Sequence, residues 1–307
     1  MNTQSNAMPQ QSQAAAPAAI SATQRMYWSV RREFWESRSL YIAPLAAAAL
    51  ILVGFLVSTI HLAAKMRAAL ALDPMQQNVA IRQPYTFAEL LLMGTFLIVA
   101  LFYCLDALHG ERSDRSILFW KSLPVSDLTT VLAKASIPVV ILPLFTFAIT
   151  VATQCIMLLL STLLLWGSGV SVATLWDHVP LFQMSFGLLD HLVGFHGLWY
   201  APIYCWLLLV SAWARRAPIL WAVLPLLAIG IVEKIAFNSS YFAALLQYRF
   251  AGGPESDTFT ATRVAMDPLT HLHPGQFLAS PGLWIGFAVA AAFLAAAVRL
   301  RRYRDPI

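Results

Sequence analysis

Apolar residues in this chain do not alternate with polar ones; they run together for about twenty positions at a time. Residues 41–60 form the first such run, which as a helix spans about 30 Å, the hydrocarbon thickness of a bilayer. A second covers 87–105 and ends at Asp106. The third begins after Lys134 and stays apolar to Trp166, longer than a bilayer requires, and Pro138 and Pro143 predict a kink or a broken entry near its start. Residues 198–213, 217–232 and 281–298 complete the set, with polar connections at 65–84, 109–134, 167–197 and 237–276. The pattern predicts an all-α integral membrane protein of six transmembrane helices, occupying 40–299, with a short polar tail at 300–307.

Two stretches break this rhythm. Residues 1–23 hold Gln, Ala, Ser and Pro without charge or aromatic, the composition of a disordered tail, and lack the charged start of a signal peptide. Residues 24–39 predict an amphipathic helix. Tyr27, Val30 and Phe34 share one face, Trp28 and Trp35 lie alongside, and Arg25, Arg31, Arg32 and Arg38 fall largely elsewhere. Such a helix lies flat at the headgroups ahead of the first span, anchored by Trp28, Arg31, Arg32 and Trp35.

The connection at 109–134 is the most informative. Glu111, Arg112, Asp114, Arg115, Lys121, Asp127 and Lys134 are too many charges for hydrocarbon, where each unpaired one costs roughly 2.5–3.5 kcal/mol. It is therefore an aqueous loop, but a structured one. Residues 117–120 are an apolar cluster, Pro124 stops a helix, Ser126 can cap the next, and Asp127 suits the positive end of its dipole. The expectation is a short helix, a turn and a second helix running into the bilayer.

Composition agrees: 59% of residues are hydrophobic and 11% charged, against roughly 25% charged in ordinary soluble domains. A net charge of +5 would suit nucleic acid, but the basic residues sit beside apolar runs instead. They gather before the first span, in the 109–134 loop, at Arg215 and Arg216, and after the sixth span. With six spans all four places share one side, which the positive-inside bias makes the cytoplasm, together with both termini. Cys104, Cys155 and Cys205 lie in apolar runs and read as small buried hydrophobes rather than disulfide partners.

Catalytic motifs are missing. No Gly precedes a Lys, so there is no phosphate-cradling G-x-x-x-x-G-K-[ST], and neither H-E-x-x-H nor G-x-S-x-G occurs. Asp177, His178, Asp190, His191, His196, His271 and His273 offer ligand chemistry but no pair one α-helical turn apart, so no metal is expected. Glu233 and Lys234 mark an interface, and Asp106 supports the loop that follows it. Glu89 is the charge least at ease near a span, facing either a cavity or the interface. Thr146, Thr150, Thr153, Met157 and Ser161 recur at helical spacing with Gln154 beside them. They line a substrate path or, the commoner use of such stripes, a helix–helix contact.

Glu111, the apolar cluster, Lys121-Ser122-Leu123-Pro124-Val125-Ser126 and Ala133-Lys134 resemble the element after the second span in permease subunits of ATP-binding-cassette type-2 exporters. There the order is Glu, a Gly-Ser/Thr step, an apolar helix, Pro-Val-Ser, then a small residue and Lys. The Gly step is Arg115-Ser116 in this chain, a departure that leaves subfamily and cargo open. The resemblance implies a non-enzymatic, multi-pass permease of a bacterial cytoplasmic (inner) membrane. It would be paired with a second permease copy and docked on a separate cytoplasmic ATPase. This chain would bind no cofactor, since ATP and Mg would belong to the ATPase. Residues 111–123 would be its coupling helix: Glu111, Arg112, Asp114, Arg115 and Lys121 for orientation, Phe119 and Trp120 for contact area, Pro124 and Ser126 for the turn that follows. The rival readings are a membrane-embedded enzyme, for which no polar cluster lies mid-span, and a self-sufficient carrier or channel, which should show broken segments in corresponding halves.

Overall fold

The computed structural model describes residues 21–117, 119, 125–166, 168–251 and 274–303. Residues 1–20 of the expected tail at 1–23, Trp120, Lys121, Pro124, His271, His273 and Arg304 lie outside them; residues 21–23 of that tail are the cap and first turn of a helix instead. The described residues are helical, with no strand among them. Helix α1 (Ala22–Glu36) opens on a capping box: Gln24 N–H donates to Ser21 Oγ at 3.2 Å, and Ser21 N–H donates to Gln24 Oε1 at 3.3 Å. Then come α2 (Ser39–Ser58), a 3-10 turn, α3 (Leu62–Leu70), α4 (Pro74–Asp106) and α5 (His109–Ser113). Helix α6 (Asp127–Ser136) passes through a π-helical turn (Ile137–Ile141) into α7 (Leu142–Leu165). After α8 (Val172–His178) and α9 (Leu181–Asp190), a π-helical stretch (His191–Trp199) leads into α10 (Ala201–Trp213). The chain ends with α11 (Pro218–Phe237), α12 (Tyr241–Ala251), α13 (Pro274–Ala279) and α14 (Pro281–Tyr303).

Among the described residues, five helical stretches are long and apolar enough to cross a membrane: Ser39–Leu70, Pro74–Ser113, Asp127–Leu165, Pro218–Phe237 and Pro281–Tyr303. A sixth exists if Val172–Trp199 and Ala201–Trp213, bent by 47° where they join, make one span. Helix α4 lies at the centre against α2, α7 and α10, and α14 packs along α10. Leu40, Phe96, Ala100, Tyr103, Cys104, Ile137, Tyr204 and Leu208 form one core, and Phe55, Tyr85, Ala88, Met157, Leu158 and Leu165 another. All three cysteines are unbridged, as expected. Helix α11 contributes little to either core; most of its apolar side chains face outward, as suits a helix surrounded by lipid.

The structure corrects several boundaries. Residues 65–84 are not a loose connection but α3 and the first turns of α4. Pro74 starts that helix, where a missing N–H costs nothing, and α4 runs on through Pro84. The stretch is polar yet helical because Met66, Ile81 and Tyr85 pack against Leu165, Leu175 and Val179. The last helix continues past 298 to Tyr303, carrying Arg299, Arg301 and Arg302 within it. The kink expected at Pro138 is a π-helical turn, an accommodation of the absent Pro N–H.

Candidate functional site: a buried ion network at the elbow

The 109–134 connection folds as expected at its ends. Ser126 caps α6, its Oγ accepting from Thr129 N–H at 3.1 Å, and Asp127 sits in the first turn. Replacing Ser126 with Ala should destabilise the protein by about 1 kcal/mol, read as a lowered unfolding midpoint in detergent; an unchanged midpoint would show the cap to be idle.

What surrounds the connection is a network of charges from four helices. The Glu111 carboxylate, almost fully buried, accepts from Lys134 Nζ at 3.1 Å, from Arg32 Nη2 at 3.2 Å, and from Arg301 Nη1. Glu33 of α1 pairs with Lys134 Nζ at 2.8 Å and with Arg32, and accepts from Tyr103 Oη at 3.2 Å. Arg301 Nε also reaches Asp127 Oδ1 at 3.1 Å, and Arg32 Nε lies 3.5 Å from Glu36. Burial works against the Arg32 charge, but Glu33, Glu111 and Glu36 outweigh it and hold its pKa above the usual arginine value. Glu36 is pushed upward by burial and by Glu33, against the pull of Lys134 and Arg32. Buried charges are tolerated only when paired and hydrogen-bonded, and here each acid meets at least one base. The network ties α1, α5, α6 and α14 into one block.

A second set of contacts fixes α5 to α10. Arg112 Nη1 donates to the Ala212 and Ala214 carbonyls at 2.8 and 3.3 Å, groups left free by the end of α10. Ser211 Oγ accepts from the Leu108 and His109 amides at 3.0 and 2.8 Å. Gly110 leaves room for the Asp106 carboxylate, 3.1 Å from where a Cβ would stand. Asp106 thus borders the elbow.

The predicted coupling residues therefore divide. Glu111 and Arg112 turn inward, whereas Asp114, Arg115 and Phe119 are exposed, Phe119 by 61%. Arg115 has φ 57°, the left-handed backbone that glycine takes most readily; this is the place of the Gly in the resembled motif. On α1, Arg31 stacks over Trp28 and Trp35, at 5.1 and 5.0 Å from the ring centroids, and both indoles are exposed. Arg32 instead joins the network. Val30 and Phe34, expected on a face lying at the headgroups, pack instead against the protein core, and Tyr27 is exposed.

Thr146, Thr150, Thr153, Gln154 and Ser161 are fully buried. Thr150, Thr153 and Ser161 donate back to their own helix, to the carbonyls of Thr146, Ile149 and Met157, at 2.8 to 2.9 Å. Tyr85 Oη meets Ser161 Oγ at 3.2 Å across the α4–α7 seam. The stripe is thus buried in the bundle, and at Ser161 and Gln154 it bonds across to α4. Glu89 is half-buried and accepts from Gln154 Nε2 at 3.3 Å. Glu233 caps α12, accepting from Ser239 Oγ and from the Tyr241 and Phe242 amides at 2.7, 2.7 and 2.9 Å.

Among the described residues no group of three candidate metal ligands occurs. His191 and His196 do meet, ring centroids 4.9 Å apart. Five residues is close to one turn in a π-helix, so a spacing unsuited to an α-helix brings them together.

Glu33, Tyr103 and Arg301 were not singled out in the sequence. Glu33 left a signal: it lies between Val30 and Phe34 on the inward face of α1, a charge within an apolar stripe. Comparison with protein-family models, curated proteins and solved structures finds no match.

Proposed function

We propose that this chain is the membrane-spanning permease of an ATP-driven exporter, with six spans, both termini in the cytoplasm and a separate ATPase gripping the elbow between the second and third spans. The observation that carries the reading is the ion network behind Phe119. A slack connector needs no buried anchor, whereas a lever must be rigid where it joins the body. Force applied at Asp114, Arg115 and Phe119 passes through Glu111 to Lys134, Arg301 and Glu33, and so to three other helices at once. The left-handed backbone at Arg115 supports the likeness to the exporter motif, since the glycine geometry is kept where the glycine is not. A second permease copy completes the pathway, and the lipid-facing surface of α11 lies in the inner membrane.

The test is co-purification from native membranes, with the captured ATPase identified by its sequence and its hydrolysis rate measured. Phe119→Ala should weaken its retention about tenfold, the usual cost of losing an aromatic anchor, and leave membrane insertion unchanged. A cysteine placed at Asp114 should label only from the cytoplasmic side. Labelling from outside, undiminished ATPase recovery with Phe119→Ala, or transport without nucleotide would each overturn the proposal.

A further inference from the structure

The α4–α7 seam holds one acid that the ion network does not explain. Glu89 forms none of the ion pairs among the described residues. Its hydrogen bond there comes from the neutral amide of Gln154. Gln154 is 0% exposed, and its orientation is fixed because Nε2 donates both to Glu89 Oε2 and to the Tyr85 carbonyl, the latter at 3.5 Å. Its Oε1 is consequently left with no hydrogen-bond partner. The nearby hydroxyls cannot supply one, because Thr150 and Thr153 spend their protons on their own helix. Two acceptors in an apolar setting thus each lack something: the Gln154 oxygen a donor, and the Glu89 carboxylate a positive charge. A buried acceptor without a partner and a lone acid in a span are each costly, and such acids mark functional sites by default.

We infer that Glu89 and Gln154 form a recognition site for the ammonium group of a cationic amphiphile, which names the cargo class of the exporter proposed above and rests on that reading. An alkylammonium carries a charge for the carboxylate and several N–H donors, one of which suits Gln154 Oε1. A bare divalent ion fits poorly: calcium takes six to eight oxygens and magnesium a near-octahedral shell, whereas this seam offers a carboxylate and one amide. The body of the ligand is apolar because the surroundings of the site are. Tyr85, Leu92 and Met93, which share the Glu89 face of α4, are buried, and Phe87, Leu90 and Leu91, on the outward face of the same turns, are 58%, 60% and 42% exposed, as suits lipid. Glu89 also lies about 25 Å along α4 from Asp106, so a ligand held there is at the opposite end of the span from the elbow. The site receives cargo at one face while the lever moves at the other.

Binding can be tested without any ATPase, so failure of the exporter reading leaves this result interpretable. The purified full chain in phosphatidylcholine nanodiscs would be titrated at neutral pH with dodecylammonium chloride, and in parallel with neutral dodecanol, following tryptophan fluorescence. Wild type should bind dodecylammonium with Glu89→Gln about tenfold or more weaker, the scale of losing a charged hydrogen bond. Gln154→Met, which removes Oε1 at similar size, should weaken it several-fold and carries the comparison if Glu89→Gln is not recovered folded. Dodecanol should bind all three alike. Equal dodecylammonium affinity in wild type and either variant would overturn the inference. So would a parallel loss of dodecanol binding, or displacement of dodecylammonium by millimolar sodium or potassium chloride.

Discussion

Glu111→Gln is expected to cost about 3–5 kcal/mol of stability, the usual penalty for removing one partner from a buried ion pair. The substitution keeps the shape of the side chain and removes its charge. Lys134 Nζ at 3.1 Å, Arg32 Nη2 at 3.2 Å and Arg301 Nη1 then converge on a neutral amide, half of which is itself a donor. Lys134 and Arg301 are 2% and 4% exposed and cannot turn to water without moving α6 or α14. Asp114→Asn, three residues on and exposed, should stay within about 0.5 kcal/mol of wild type, as surface changes generally do. Each variant loses one carboxylate, and the two positions stand three residues apart. Thermal or denaturant unfolding of both in the same detergent separates burial from charge. If Glu111→Gln unfolds alongside Asp114→Asn, the network does not hold the elbow.

That network also marks the boundary of what the sequence could reveal. Long apolar runs are a local signal, so the candidate spans at 41–60, 87–105, 217–232 and 281–298 fall on helices of the structure, with Ala217 the residue just before its helix. The Ser126 cap and the departure from α-helical geometry at Pro138 are equally local and were legible for that reason. The polar residues between 65 and 84 misled because helicity there is imposed from outside, by Leu165 and Leu175 far along the chain. The partners of Glu111 are more distant still. Arg301 stands 190 positions away and Arg32 79, and both read naturally as basic anchors beside apolar runs. Nothing local distinguishes an arginine that snorkels to headgroups from one that turns back into the protein. Arg31 and Arg32 are neighbours, yet Arg31 stays outside on two exposed indoles while Arg32 turns into the network.

The two π-helical stretches carry the second large expectation. At Gly197, within His191–Trp199, a Cβ would stand 2.8 Å from the Val139 carbonyl oxygen of Ile137–Ile141. That atom is backbone and is held by the fold on both sides of the turn, so it cannot swing away as a side chain would. Gly197→Ala should therefore force the two stretches apart and cost about 1–3 kcal/mol, the range for inserting a methyl into a packed interior. Gly194→Ala provides the control in the same stretch, since its Cβ would meet only the Phe277 ring at 3.8 Å, an ordinary contact. Its effect should be small, and alanine's lower chain entropy when unfolded could even favour it slightly. The comparison matters beyond packing. Val139 lies just past α6, whose Lys134 anchors the elbow, and Gly197 lies just before α10, whose end is capped by Arg112. The contact therefore closes a ring of helices from the elbow through the core and back. A destabilised Gly197→Ala beside a near-normal Gly194→Ala would show the ring to be tight at this point. Equal midpoints for the two variants would mean that the π-helical turns yield freely, and that the elbow is braced by its charges alone.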